Sequence, residues 1–97
     1  MTKAHAPITP GEILLEDFLK PLGISQYRLA QATGLPQTRI ADIVHGRRRI
    51  TPETALRLSL ALGTSERYWM NIQLDFDLEI EHDTNQEALD RVIALVS

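Results

Sequence analysis

Helix start and stop signals follow one another at short intervals along this chain, and they constrain its fold more than any other feature. The segment Thr9-Pro10-Gly11-Glu12 has the form of a capping box with Pro at the first helical position. Pro21 and Gly23 predict the end of this first helix near Lys20. Later starts are expected at Ser25, Pro36, Thr51 and Ser65, and later stops at Gly34, Gly46 and Gly63. The signals predict an all-α fold of short helices joined by tight turns.

The stretch from Asp75 to Glu81 alternates polar and apolar residues, which is also typical of a β-strand. No second strand-like segment is present to pair with it, and an isolated strand cannot satisfy its backbone hydrogen bonds. We therefore expect a long fifth helix here. A second capping box, Thr84-Asn85-Gln86-Glu87, predicts a short final helix, whose apolar residues are Leu89, Val92, Ile93 and Val96. The predicted fold class is an all-α bundle of five to six helices.

Length and composition exclude several classes of protein. The 97 residues suffice for one domain, and the absence of cysteine excludes disulfides and thiolate metal sites. No apolar run could span a bilayer, and the first seven residues lack the apolar stretch of a secretory signal. We expect a cytoplasmic protein without membrane association. A flexible segment, 1–8, is expected before a domain from 9 to 83 and a C-terminal helix, 84–97.

The net charge of −3 conceals an uneven distribution of charge. Seven Lys and Arg accompany four acidic residues up to Ile50, whereas three Arg accompany nine acidic residues from Thr51 onward. Such asymmetry predicts a polarised surface. The acidic balance of the whole chain therefore does not exclude a nucleic-acid partner for the basic first half.

The segment from Gln26 to Val44 has the spacing of a helix-turn-helix. Gly34 falls where the turn needs a left-handed residue. Small or apolar residues occupy the positions that must be buried, namely Ala30, Leu35, Ile40 and Ile43. A plain helical hairpin also needs a turn glycine, so the indication depends on all these residues being in register. Together they favour DNA binding over a purely structural hairpin.

Three segments resemble the phage-repressor (XRE-type) helix-turn-helix family and, within it, the HigA antitoxins, which include virulence-associated protein I. They are Pro10 to Leu19, the hairpin ending in Gly46 to Glu53, and Arg67 to Gln73 followed by Asp77-Leu78. The resemblance implies a phage-repressor-like homodimer that represses its own toxin–antitoxin operon at palindromic double-stranded DNA. It also implies neutralisation of a cognate HigB-like toxin, a RelE-like ribonuclease that cleaves mRNA.

The chemistry of DNA recognition assigns roles within the hairpin. A recognition helix turns its N-terminal residues toward base edges in the major groove, and here these are Gln37, Thr38 and Arg39, with Asp42 one turn later. Gln can pair with adenine, Arg with guanine, and Thr can contact a thymine methyl or either kind of edge. Asp42 could accept from cytosine or orient Arg39, and we favour the second because phosphates repel an unpaired acid.

Gln26 and the run Arg47-Arg48-Arg49 are predicted to contact backbone phosphates. The resemblance places a phosphate-binding residue at Gln26, and the amides of a helix N-terminus add to that attraction. The arginines follow the recognition helix and would contribute sequence-independent, salt-sensitive affinity. The alternative is an ordinary solvated loop.

Other functions have little support in the sequence. His5, His45 and His82 lack the spacing of metal ligands, and His45 is expected to cap the C-terminus of the third helix. Ile80 stands where a calcium loop needs glycine, and neither a nucleophile elbow nor a glycine-rich phosphate loop occurs. We expect no catalytic residue, metal or cofactor. A phage-type repressor without a toxin and a protein-binding adaptor are the alternatives.

Surplus apolar residues after Ser65 predict a dimer. Two DNA half-sites require two recognition helices about 34 Å apart, and one chain supplies one. A stripe of the fifth helix that includes Trp69 would pack on the domain, whereas a second stripe that includes Met70 would face away. The residues expected to be buried by a second copy are Leu74, Leu78, Val92 and Ile93.

Overall fold

Residues 6–97, which the computed structural model describes, form five helices and no β-strand. Helix α1 comprises three consecutive segments, Pro10–Ile13, Leu14–Leu19 and Lys20–Leu22, of which the middle one is π-helical. The others are α2 (Gln26–Thr33), α3 (Gln37–Val44), α4 (Pro52–Leu62) and α5 (Glu66–Asp90). The predicted all-α class is confirmed, and the alternating stretch 75–81 is helical.

Side-chain caps begin three of the helices where the sequence predicts them. The hydroxyls of Thr9, Ser25 and Ser65 each accept a hydrogen bond from the backbone N–H three residues later, at 3.1, 3.0 and 3.2 Å. Each bond satisfies an amide that has no partner within the helix, which is worth about 1 kcal/mol. The starts of α1, α2 and α5 are therefore determined locally.

Helix α1 extends to Leu22, beyond its predicted end near Lys20. In a regular α-helix the ring of Pro21 would collide with the carbonyl of Asp17. The N–H of Lys20 instead bonds to the carbonyl of Leu15, five residues earlier. This wider turn accommodates the proline, so the helix continues past it.

Trp69 of α5 lies at the centre of the core and is fully buried. Its ring packs against Phe18 and Tyr68, each at a centroid distance of 5.0 Å, and its indole N–H donates to the hydroxyl of Thr64 at 2.8 Å. The buried apolar side chains around it include Leu14, Leu19, Leu29, Ile40, Ile43, Ile50 and Leu58. The core therefore anchors α3 to the rest of the domain.

Helices α1 and α3 approach each other closely at Gly11, which is buried. A Cβ at this position would overlap the backbone carbonyl of Ile43. The close approach requires glycine here, and it fixes the distance between α1 and α3.

The helix break that the sequence predicts at Thr84-Asn85 coincides with a kink. Helix α5 runs from Glu66 to Asp90, and two helical segments meet within it at Asn85, whose backbone is non-helical (φ −123°, ψ 27°). Thr84 does not cap a new helix, because its hydroxyl donates to the carbonyl four residues earlier at 2.6 Å. Val92 and Ile93 lie beyond the helix end. These β-branched residues have low helix propensity, and because they are exposed, no packing energy offsets that low propensity. The helix therefore ends before them.

Candidate nucleic-acid interface

A tight turn of three residues, Gly34-Leu35-Pro36, joins α2 to α3. Gly34 has a φ of 74°, which glycine adopts without a steric penalty. Leu35 is buried beneath the turn. The hydroxyl of Thr33 donates to the carbonyl of Leu29 at 2.8 Å and accepts from the N–H of Leu35 at 3.3 Å. The structure therefore contains the turn that the sequence predicts.

The second helix of this motif, α3, is anchored on one side and exposed on the other. Ile40 and Ile43 are almost completely buried. Gln37 and Thr38, in the first turn, are exposed, and their side chains make no hydrogen bond to residues 6–97. Their amide and hydroxyl groups are therefore available to base edges, which present donors and acceptors in the major groove.

Arg39 is held in a different way from its two neighbours. Its side chain is 25% exposed, and its Nη1 donates to Oε1 of Glu53 at 3.0 Å. Its Nε is buried and has no hydrogen-bond partner among the described residues. The expectation that Asp42 orients Arg39 is therefore wrong. The first turn of α4 brings the carboxylate of Glu53 beside Arg39, although 14 residues separate the two.

Arg57 fixes Glu53 in turn. Nη2 of Arg57 lies 3.6 Å from Oε2 of Glu53, and Nη1 donates to the carbonyl of Thr33 at 2.8 Å. These contacts connect the end of α2 with the first turns of α3 and α4. Sequence reasoning treated Glu53 only as part of a helix-start signal. The available clue was that Arg39, a predicted base-reading residue, needed an acidic neighbour.

Two arginines of the run after α3 form ion pairs. Nε and Nη2 of Arg47 lie 3.1 and 3.0 Å from Oδ1 of Asp42. Nη2 of Arg49 lies 2.6 Å from Oδ2 of Asp77. Arg48 is exposed and makes no hydrogen bond or ion pair to the part of the chain that the structure describes. The run is therefore held at both ends with its middle arginine free.

Gln73 of α5 is a buried polar residue that sequence reasoning missed. Its Oε1 accepts from the N–H of Ile50 at 2.7 Å, and its Nε2 donates to Oδ1 of Asp77 at 3.0 Å. Because Asp77 also pairs with Arg49, the backbone and a side chain of this loop are both attached to α5. A glutamine four residues after Trp69, on the side of α5 that faces the core, was the signal that could have revealed it.

The remaining predicted residues lie as follows. Gln26 begins α2 and is half-buried. His45 follows α3, and its Nδ1 lies 2.7 Å from the carbonyl of Ala41, which confirms its expected place at the helix end.

His5 lies outside the described residues. Within residues 6–97 no three His, Asp or Glu side chains are grouped as a metal site requires.

The four residues predicted to meet a second copy, Leu74, Leu78, Val92 and Ile93, are each more than half exposed in the single chain. Met70, which was expected to face away with them, packs against the core instead. Within α5 the exposed large apolar residues therefore begin beyond Met70, and others follow after the helix end.

This geometry defines a helix-turn-helix domain of the DNA-binding type, and comparison with known proteins supports it. The helix-turn-helix family model matches residues 15–69. Virulence-associated protein I of Dichelobacter nodosus is 43% identical over 79 residues, which cover 81% of this chain and 73% of that protein. Antitoxin HigA-1 of Vibrio cholerae is 35% identical over 81 residues, 84% of this chain and 76% of that protein.

A solved structure of the antitoxin HigA of Pseudomonas aeruginosa with the higBA promoter has a TM-score of 0.87 to this chain. It is 34% identical, and the alignment covers 93% of this chain and 99% of that one. The chain belongs to the HigA-type antitoxins of the XRE helix-turn-helix family. This family consists of DNA-binding regulators and not of enzymes. No helix among the described residues is long and apolar enough to cross a membrane.

Proposed function

We propose that this chain is an antitoxin that represses its own toxin–antitoxin operon by inserting α3 into the major groove of the operator. The observation that carries the proposal is the first turn of α3. The side chains of Gln37 and Thr38 are exposed there without partners among residues 6–97, while Ile40 and Ile43 hold the helix on the core. The relative from Pseudomonas aeruginosa, solved with the higBA promoter, supports this use of the fold.

Base recognition is assigned to the exposed side of α3. Gln37 pairs with adenine, Thr38 contacts a thymine methyl or a polar edge, and Arg39 donates to O6 and N7 of guanine. Asp42 either accepts from the amino group of cytosine or serves through its ion pair with Arg47, which it holds beside the recognition helix.

Phosphate contacts are assigned to residues on both sides of α3. Arg47, Arg48 and Arg49 follow the helix directly and supply charge that does not depend on sequence. Gln26 stands at the N-terminus of α2, where helix amides attract anions. Asp42 and Asp77 hold Arg47 and Arg49 through ion pairs, whereas Arg48 has no competing partner within residues 6–97 and is the most available of the three to a phosphate.

A homodimer is the form in which the chain would read a palindromic operator, because two half-sites need two recognition helices about 34 Å apart. Leu74 and Leu78 on α5, together with Val92 and Ile93 beyond it, are the residues assigned to the contact. Their exposure in the single chain supports this, because apolar side chains left in water favour an interface that buries them.

The second partner is a toxin of the RelE-like, mRNA-cleaving class. From Thr51 onward nine acidic residues accompany three arginines, and such an acidic surface complements a basic RNA-binding protein. We place the complex in the cytoplasm, where operon DNA and mRNA are both present.

Fluorescence anisotropy with the promoter DNA of the operon that encodes this chain tests the proposal. At physiological salt the chain should bind this DNA at least about 1,000-fold more tightly than a shuffled duplex. Equal affinities would contradict a repressor. Co-expression with the neighbouring reading frame tests the toxin separately, since a co-purified and silenced ribonuclease is expected. Tight operator binding without such a partner would indicate a phage-type repressor instead.

A further inference from the structure

The ion pair between Arg39 and Glu53 joins a predicted base-reading residue to a residue that has no assigned role. The Arg39 side chain is 25% exposed, and only its Nη1 contacts the carboxylate, at 3.0 Å. Its Nε is buried without an acceptor in the described chain. The Nη2 group and the second proton of Nη1 therefore remain as the unused donors of the guanidinium.

Glu53 is itself restrained, because its second oxygen lies 3.6 Å from Nη2 of Arg57. Arg57 is attached to the backbone at the end of α2 by its 2.8 Å hydrogen bond to the carbonyl of Thr33. The carboxylate therefore has a defined position between α2 and α3. A long arginine side chain that would otherwise sample many rotamers is fixed by it.

We infer that Glu53 is a positioning residue for DNA recognition, which holds the guanidinium of Arg39 so that its free donors meet a guanine. The inference rests on the proposed base-reading role of Arg39. A bidentate contact with O6 and N7 depends on the orientation of the guanidinium plane. An arginine without this restraint would contact phosphates of any sequence as readily, because phosphates attract it electrostatically wherever they lie. Glu53 thus converts a general cationic contact into a specific one.

The wild-type chain first selects a preferred DNA duplex from a random pool. The experiment then measures the specificity ratio, which is the affinity for this selected duplex divided by the affinity for a shuffled duplex. Glu53→Ala should lower the ratio about tenfold, mainly by weakening binding to the selected duplex. Glu53→Gln, which keeps an acceptor but loses the charge, should have a smaller effect in the same direction. Circular dichroism confirms that each variant is folded.

Two controls separate positioning from other effects. Glu16→Ala removes a carboxylate of similar exposure, paired with Lys20, and should leave the ratio unchanged. In an Arg39→Ala background, Glu53→Ala should not lower the ratio further, because a positioning residue acts only through its partner. A further loss in that background would overturn the inference.

The single variants distinguish the two possible failures. If Arg39→Ala lowers the ratio and neither Glu53 variant does, the positioning role is wrong and the proposed base reading stands. If Arg39→Ala leaves the ratio unchanged, Arg39 does not read bases, and the inference about Glu53 fails with it.

Discussion

Asp77 and Arg49 lie 28 residues apart in sequence, yet Oδ2 of Asp77 is 2.6 Å from Nη2 of Arg49. The other oxygen of Asp77 accepts from Gln73, which also binds the backbone of Ile50. Helix α5 therefore holds the segment that follows α3. Asp77, which belongs to the negatively charged half of the chain, therefore positions Arg49.

We predict that neutralising Arg47, Arg48 or Arg49 to Ala, one at a time, weakens binding to operator and shuffled DNA alike. Each lost phosphate contact should flatten the slope of log affinity against log salt by about 0.9. The loss should be clearest for Arg48, because it has no competing partner within residues 6–97. Anisotropy titrations at several salt concentrations measure the slope.

The matched control for these arginines is Arg91→Ala, which removes an exposed arginine just after the end of α5. Its salt slope should equal that of the wild-type chain. Unchanged slopes in all three variants would show that Arg47-Arg48-Arg49 is an ordinary solvated loop and does not contact phosphates.

We predict that Gln73→Leu lowers the free energy of unfolding by about 1–3 kcal/mol, because the buried N–H of Ile50 loses its acceptor. Chemical denaturation measures this change. Gln86→Leu is the control, since Gln86 is an exposed glutamine on the same helix and its substitution should change stability by less than about 0.5 kcal/mol. Equal stabilities of the two variants would contradict the role given to Gln73.

Local signals in the sequence predicted most of the fold, because a helix cap or a turn glycine acts within a few residues. Thr9, Ser25 and Gly34 are examples. The predictions failed where the structure depends on contacts between residues far apart in sequence, or on contacts that are absent. The partner of Arg39 comes from another helix, and the end of α5 depends on whether anything covers Val92.

The same distinction applies to the candidate interface. The positions on α3 followed from the helix-turn-helix register, which fixes the side on which Gln37 and Thr38 lie. The ion pair of Arg47 is local, because Asp42 lies only five residues earlier. The pair of Arg49 with Asp77 could not be assigned from sequence, since 28 residues separate them and only the packing of α5 brings them together.

We predict that Gly11→Ala lowers the free energy of unfolding by about 3 kcal/mol, since its Cβ would overlap the carbonyl of Ile43 and neither backbone can yield easily. Thermal and urea unfolding measure the loss. Gly23→Ala is the comparison, because a Cβ there meets no atom within 4 Å and only its φ of 65° is unfavourable, at about 1 kcal/mol. A Gly11 variant as stable as the Gly23 variant would contradict the close approach of α1 and α3.

We predict that the double substitution Leu74→Glu/Val92→Glu converts the proposed homodimer to a monomer at micromolar concentration, because two carboxylates would be buried in an apolar contact. Sedimentation velocity measures the change. Leu60→Glu is the control, since Leu60 is 86% exposed on α4, outside the proposed contact. A double variant that dimerises as tightly as the wild type would show that the contact lies elsewhere.

The central claim is that the first turn of α3 reads bases, and Gln37→Ala tests it most directly. Gln37 is exposed and has no partner in the described chain, so its removal should leave the domain intact. We expect affinity for the selected operator to fall by about 1–3 kcal/mol while affinity for shuffled DNA stays the same. Equal losses on the two duplexes, or no loss on either, would contradict the assignment of α3 as the recognition helix.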